Sequence, residues 1–411
     1  MALHDLAAGS GRPSVARRAA GRVHLAPLDG LRGLAVAAVL LFHAGHVRGG
    51  FLGVDLFFVL SGFLITGLLL GEVGKRGRLD VAAFWGRRAR RLLPALVVMG
   101  VVTLLLAWGF GPPARLGFAL DDAPWAAAQA VNWHFIAEQV GYWNAADSRL
   151  FSHLWSIAVE WQFYLVWPLV VACVARGRGR RWGVLAVALT GALASLALMI
   201  HFGGLVDTTR AYEGTDTRAF ALLLGAAAAT APAREFAARI RRPVAEVLSA
   251  LLVCGLLVSW AVTDGQKAPG LFQGGMFLHS LAAAVLIALV AAVPHGPTGR
   301  VLGSAAPRKL GEISYSLYLW HWPVYLLLPP SVLGFGGWPR TVVLIGVSIV
   351  AAVVSKILVE DPVRFRARWA VGRRGLVALV AAAVVATGVW AAVPQPRLGA
   401  GTVDLDRLTN P

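Results

Sequence analysis

Apolar runs of about twenty residues, repeated along nearly the whole chain, leave this sequence few ways to fold. They lie at approximately 31–46, 51–71, 92–110, 152–175, 182–202, 219–232, 245–263, 274–293, 312–329, 340–359 and 374–393. A bilayer core needs about 17–25 mostly apolar residues per helix. Eleven candidate spans are therefore predicted, with 219–232 short enough for a tilted or partial one. Composition agrees: 57% of the 411 residues are hydrophobic and 14% are charged, against about 25% charged in a soluble domain. The expected fold class is an all-α polytopic integral membrane protein.

The charge, +17 from 38 Lys and Arg against 21 Asp and Glu, suggests nucleic acid only if the basic residues share one face. Here they cluster in short segments between the spans. Alternate segments, counted from the N-terminus, hold 27 basic residues against 9 in the intervening ones. The bias of short loops toward Lys and Arg on the inner side predicts a plasma-membrane protein with a cytoplasmic N-terminus and, after eleven spans, an extracytoplasmic C-terminus. The first 27 residues carry no apolar core of their own, so no cleaved signal peptide is expected and span one acts as the anchor. Segment 111–151 is the one long outer loop, and loops of that length are often functional. Its Trp125, Trp133, His134, Trp143 and Asn144 either stack and bond a sugar or form an aromatic belt at the interface. Cys173 and Cys254 lie inside apolar runs and read as buried hydrophobes rather than a disulfide or zinc site.

Ionisable groups inside spans cost about 2.5–3.5 kcal/mol each on insertion scales and so mark function or specific pairing. Arg32 and His43 are eleven residues apart on span one, which returns to within about 20° of the same helix face, roughly 16 Å along. Arg32 is either a snorkelling anchor or part of a functional stripe. Asp55 mirrors His43 across the Gly49–Gly50 hairpin. It either orients that imidazole as a general base or caps span two. Span four lines up His153, Ser156, Glu160, Tyr164 and Trp167, and span nine lines up Ser314, Tyr318, His321 and Tyr325. Each is a polar stripe suited to a substrate cavity or to interhelical hydrogen bonding. Pro323 frees the carbonyl of Leu319 from its usual backbone partner. In the second inner loop, four arginines in five residues, Arg87, Arg88, Arg90 and Arg91, present paired guanidiniums suited to phosphate.

These residues resemble the acyltransferase-3 family of membrane O-acyltransferases over roughly 27–365. The resemblance rests on Leu28-Asp29-Gly30-Leu31-Arg32-Gly33 followed by His43, on GFLGVDLFFVLSGFLIT (50–66), on FWGRRARRLLPAL (84–96) and on LWSIAVEWQFYLVWPL (154–169). It continues through YEGTDTRAFALLLGA (212–226), SYSLYLWHWPV (314–324) and EDPVR (360–364). It implies an essential Arg-X10-His pair, matched by Arg32 and His43, and an Arg-X-X-Arg element, matched by Arg88 and Arg91. It implies acyl-CoA, usually acetyl-CoA, as cytoplasmic donor substrate, with no tightly bound cofactor and no metal. The family commonly has two adjacent glutamates in span four; here Glu160 is followed by Trp161. The resemblance also implies a ten-helix acyltransferase core, sometimes with an eleventh span leading to an SGNH hydrolase-like domain. The expected division is a basic segment at 1–27, the transferase domain at 28–365, an extra helix at 366–393 and a tail at 394–411, without that hydrolase-like part by nature or by truncation.

The leading expectation is thus an O-acyltransferase acting on a hydroxyl of an extracytoplasmic glycan or related acceptor. His43, Arg32, Asp55 and Glu160 are its candidate catalytic residues, and Arg87, Arg88 and Arg91 its candidate acyl-CoA ligands. Ser61, Tyr164, Arg218, Tyr318 and His321 are the candidate lining of the substrate cavity, with Tyr318, His321 or Arg218 available to stabilise an oxyanion. His43 acts as base or accepts the acyl group transiently. The competing class is a proton-coupled transporter, which polar stripes and a broken helix also suit, although no inverted repeat is evident.

Overall fold

The computed structural model describes residues 25–145, 148–175, 180–203, 207–265, 267–370 and 372–396. These residues form helices joined by turns, with no strand among the described residues. In chain order the helices are α1 (Ala26–His43), α2 (Gly53–Arg76), α3 (Val81–Phe110), α4 (Pro113–Ala127), α5 (Val131–Ala137), α6 (Tyr142–Ala145), α7 (Leu154–Val174), α8 (Arg180–Gly203), α9 (Thr209–Glu213) and α10 (Thr215–Ala228). The second half continues with α11 (Ala231–Arg239), α12 (Arg242–Val262), α13 (Gly275–Ala292), α14 (Pro297–Leu302), α15 (Ala305–Glu312), α16 (Ser314–Leu327), α17 (Pro330–Leu333), α18 (Gly337–Ser355) and α19 (Gly372–Ala392).

Among the described residues nine helices, α1, α2, α3, α7, α8, α12, α13, α18 and α19, are long and apolar enough to cross a membrane. The spans expected at 219–232 and 312–329 fall on α10 and α16, of 14 residues each. At 1.5 Å per residue these reach about 21 Å, short of a full crossing. Local sequence sets both limits: Gly214 is extended and separates α10 from α9, and Pro329 and Pro330 follow the end of α16. Both helices are nevertheless enclosed, α10 among α2, α8 and α13, and α16 among α1, α3 and α18. They build the interior of the bundle.

The outer faces of α8, α12, α18 and α19 expose Trp182, Leu193, Leu251, Val350 and Val380, as a hydrocarbon solvent permits. Cys173 and Cys254 lie on such exposed faces of α7 and α12, which corrects the expectation that they are buried. Hydropathy does not separate a lipid-facing position from a core one, because both are apolar.

Two backbone crossings hold the centre together. A Cβ at Gly30 would collide with the Leu302 carbonyl, one at Gly33 with that of Pro307, and one at Gly311 with that of Asp29. These three glycines let α1 lie against the 302–311 segment. In the same way Gly62 and Gly225 seat α2 on α10, each against the other helix's backbone, the small-residue packing typical of membrane helices.

Segment 111–151 is a folded cap built on α4 and α5. Arg149 joins them, donating from Nη1 to Asp122 at 2.5 Å and from Nη2 to Glu138 at 2.9 Å. The indole of Trp390 on α19 donates to the Leu120 carbonyl at 2.8 Å, pinning α4 from the other side. Burial pushes the Asp122 carboxyl up to about 7, against the opposing pull of the Arg149 guanidinium.

Gly62→Leu is expected to abolish recovery of monodisperse detergent-solubilised protein, while Gly67→Ala, where the space is open, leaves it unchanged. Because the folded Asp122 value lies above the unfolded value of about 3.9, its contribution to stability is complete below pH ~4 and is lost as pH rises through about 7. Resistance of the 111–151 cap to proteolysis should therefore fall between about pH 4 and pH 7, and Asp122→Asn should flatten that decline.

Candidate active site

His43 ends α1, and His321 of α16 meets it with Nε2 at 3.0 Å from His43 Nδ1. The other nitrogen of His321, Nδ1, lies 2.6 Å from the Tyr318 carbonyl oxygen. A carbonyl only accepts, so His321 Nδ1 carries the proton and, in the neutral ring, Nε2 is the acceptor. His43 must then donate from Nδ1, which leaves a lone pair on its Nε2. The His43 ring also packs against Trp322, with centroids 4.5 Å apart, and against Phe42 at 5.0 Å.

The expected partnership of Asp55 with His43 is not formed. Asp55 instead accepts from Arg218 Nη2 at 2.9 Å and from the Ser280 hydroxyl at 3.4 Å. It makes no capping bond to α2 either. Arg218 is fully buried, places Nη1 2.8 Å from the Met276 sulfur and sits against the rings of Tyr212, Trp155 and Phe58 at 4.9, 5.6 and 5.8 Å. The pair is an internal brace joining α2 to α10, and Arg218 is absent from the cavity lining expected for it. Depth alone put His43 and Asp55 level; the rotation of α2 about its axis turned the carboxylate toward α10.

The two polar stripes, each expected from the spacing on its own helix, meet in the structure. Ser156 and Tyr318 share a hydroxyl hydrogen bond of 2.7 Å, and the Tyr318 hydroxyl also reaches the His153 carbonyl at 3.0 Å. The Leu319 carbonyl released by Pro323 accepts from His153 Nε2 at 3.1 Å, so the broken helix is satisfied by its neighbour. Farther down α7, Glu160 Oε1 accepts from the Tyr164 hydroxyl at 2.5 Å and from Ser61 of α2. Trp167 donates to the Thr66 hydroxyl at 2.8 Å. Tyr325 donates to the Leu40 carbonyl at 3.3 Å.

Between these helices lies a small cavity of about 50 Å³. Its polar lining is Arg32, Ser61, Ser156, Glu160, Ser314 and Tyr318, together with the Tyr315 ring. Arg32 is held there by donating from Nε to the Ser314 hydroxyl at 3.2 Å. His43, His321 and Tyr164 are outside that lining. Tyr318 connects the two zones, with its hydroxyl in the cavity and its carbonyl on His321.

The basic element on α3 divides. Arg87 is exposed and paired with Glu72 at 3.0 Å, a surface contact of little strength. Arg88 packs on the rings of Phe84 and Tyr164 at 5.5 and 6.0 Å, and its buried Nε has no hydrogen-bond partner. Arg91 is close enough to Arg32, Arg88 and Arg364 for its charge to act on each. Arg364 comes from the π-helical continuation of α18, Lys356–Glu360 and Pro362–Arg366, which packs on α3. Such wide turns recur at functional sites. Spacing along the chain had no means of joining Arg364 to Arg88 and Arg91, nor of finding Trp322 behind His43.

Of the aromatic residues in 111–151, Trp125 stacks on His134 at 5.2 Å with much of its surface exposed. Trp133 donates to Gln162 at 3.0 Å. Trp143 is packed among Phe42, Phe51 and Tyr212 at 6.1, 5.2 and 5.6 Å, and the Asn144 side chain lies outside the described residues.

A family model described as an acyltransferase domain, that of the acyltransferase-3 family, matches residues 25–359. The chain is 35% identical over 359 residues to YrhL of Bacillus subtilis, covering 84% of this chain and 56% of that protein. It is 34% identical over 349 residues to O-acetyltransferase OatA of Staphylococcus aureus, 83% of this chain and 57% of that one. It is 33% identical over 355 residues to peptidoglycan O-acetyltransferase OatA of Listeria monocytogenes, 84% and 56%. The chain thus spans little more than half the length of the curated relatives it matches. No solved structure matches it significantly.

Breaking the buried brace with Asp55→Asn strands a guanidinium among aromatic rings and is expected to cost about 3–5 kcal/mol of stability. Replacing both partners, Asp55→Leu with Arg218→Met, should recover most of that loss, read as the thermal midpoint of the purified protein.

Proposed function

Because the chain belongs to the acyltransferase-3 family, we propose that it is a membrane O-acyltransferase that moves an acyl group, most simply acetyl, from acyl-CoA to a glycan hydroxyl. The observation that carries this reading is the unprotonated Nε2 that the His321–Tyr318 bonds leave on His43. Donor phosphates bind at the unpaired guanidiniums of Arg88 and Arg91, with Arg364 beside them. The pantetheine arm carries the thioester along the cavity past Arg32. The acceptor enters from the opposite end, where His43 stands about 16 Å along α1 from Arg32. The basic bias of alternate segments supports a cytoplasmic donor end and an outer acceptor end.

His43 takes the hydroxyl proton on Nε2 as the alkoxide attacks the thioester carbonyl. A tetrahedral intermediate forms, the carbon–sulfur bond breaks, and the imidazolium returns the proton to the departing thiolate. His321 is an acceptor toward His43, and Arg218 is sealed behind aromatic rings. Of the three expected oxyanion donors Tyr318 remains, and to serve it must turn its one hydrogen away from the His153 carbonyl. Direct transfer requires both substrates together; an acyl-histidine gives ping-pong kinetics and a trappable labelled enzyme. The peptidoglycan named for the Listeria relative makes peptidoglycan fragments the first acceptors to try.

With purified protein, labelled acetyl-CoA and such an acceptor, and no ion gradient, His43→Ala is expected to lower kcat at least about 100-fold. Near wild-type transfer would remove the base assignment, and absence of thioester turnover by the wild type would remove the acyl-CoA reading. Replacing Arg88 and Arg91 by Gln should raise the donor KM about 10-fold or more with acceptor KM unchanged; an unaltered donor KM would end the phosphate role.

A further inference from the structure

Arg149 takes no part in the chemistry above, yet it is among the most tightly held side chains in the molecule. Both arms of its fork are occupied, Nη1 by Asp122 of α4 at 2.5 Å and Nη2 by Glu138 just after α5 at 2.9 Å. Its guanidinium lies over the rings of Phe118 and Phe135, at 4.9 and 5.5 Å. A side chain clamped this way fixes its own backbone. The carbonyl of Arg149 is the acceptor for the indole N–H of Trp322 at 3.0 Å. An indole has one donor and nothing else to bond with, so this contact sets the plane of the Trp322 ring.

The His43 ring packs against that indole at a tilt, with centroids 4.5 Å apart and the planes 53° to one another. His43 is the last residue of α1, and the chain turns away immediately through Ala44 and Gly45, whose φ is +84°. The backbone there exerts less control over the ring than a mid-helix position, so its orientation depends on its neighbours. His321 bonds one edge and the tilted Trp322 indole packs beside the ring.

We propose that Arg149 is a positioning residue for His43, acting through the Trp322 indole and so coupling the 111–151 cap to the reacting imidazole. This rests on the reading of His43 as the base. Loss of the clamp releases the Arg149 carbonyl, Trp322 turns, and Nε2 of His43 leaves the line of attack. Misplacement of about 1 Å at a reacting group costs on the order of 100-fold.

Three variants test it: Arg149→Met, which removes the clamp; Trp322→Phe, which keeps a ring but removes the N–H; and both together. Arg149→Met and Trp322→Phe are each expected to lower kcat 10- to 100-fold while leaving the donor KM unchanged, and Arg149→Lys to restore part of the loss. The double variant should be no worse than the poorer single one, because both cut the same connection. A second measurement is independent of transfer: the rate at which diethyl pyrocarbonate modifies His43, followed by mass spectrometry. It should change several-fold in Arg149→Met and in Trp322→Phe and remain near wild type in Arg149→Lys.

Wild-type kcat and modification rate in either single variant, or additive losses in the double, would overturn the proposal. If Arg149→Met does not fold, Trp322→Phe decides alone, since it leaves the cap's ion pairs intact. A wild type inactive with acetyl-CoA would sink the functional reading only, and the modification rates would still decide the coupling.

Discussion

A backbone carbonyl can only accept a hydrogen bond, and near the middle of α16 that restriction propagates outward. The Tyr318 carbonyl takes the proton-bearing Nδ1 of His321, His321 Nε2 becomes an acceptor, and His43 must offer its Nδ1 hydrogen. Each link removes a choice from the next, until the one nitrogen left with a lone pair is His43 Nε2. The same helix gives up a second carbonyl, that of Leu319, because Pro323 has no N–H, and His153 fills that vacancy. In a site without bulk water such groups cannot be left to solvent, so the polar side chains of α7 are as necessary to the fold as to chemistry.

Around that centre two different devices keep α2 in place. Gly62 and Gly225 bring the backbones of α2 and α10 into direct contact, and the Asp55–Arg218 pair spans the same two helices in a setting with no exposed surface. A buried ion pair is weak evidence for net stability, but it penalises any rotation of α2 that would leave either charge alone. That fixed rotation aims Ser61 at Glu160 and into the cavity.

The cavity lies among helices that also carry two chemically unlike zones outside its lining. At one, Arg88, Arg91 and Arg364 lie near one another with no salt bridge to a carboxylate of another element among the described residues, in contrast to Arg87 on Glu72 and Arg149 on Asp122 and Glu138, although Glu160, Glu360 and Asp361 are close enough for their charge to act. Guanidiniums grouped in this way suit a multiply charged anion. At the other a neutral, aromatic-walled histidine pair sits beneath a folded cap. This polarity is what supports the proposed path from a donor end to an acceptor end.

Periodicity and composition alone determined a great deal: the polytopic helical class, the shared face of Arg32 and His43, the polar stripe on each of α7 and α16, and the carbonyl freed by Pro323. All follow from the 3.6-residue repeat and from the cost of polar groups in lipid, which are local rules. Local rules gave eleven spans where nine helices reach crossing length among the described residues, because enclosed α10 and α16 are as apolar as a span. They matched Asp55 to His43 by depth, with no knowledge of how α2 is rotated. The partner of His43, the pairing of Arg87 with Glu72, the arrival of Arg364 beside Arg88 and the clamp behind Trp322 were decided only by tertiary structure. Each joins residues far apart in the chain, and which side of a helix meets which neighbour is settled by packing across the whole bundle.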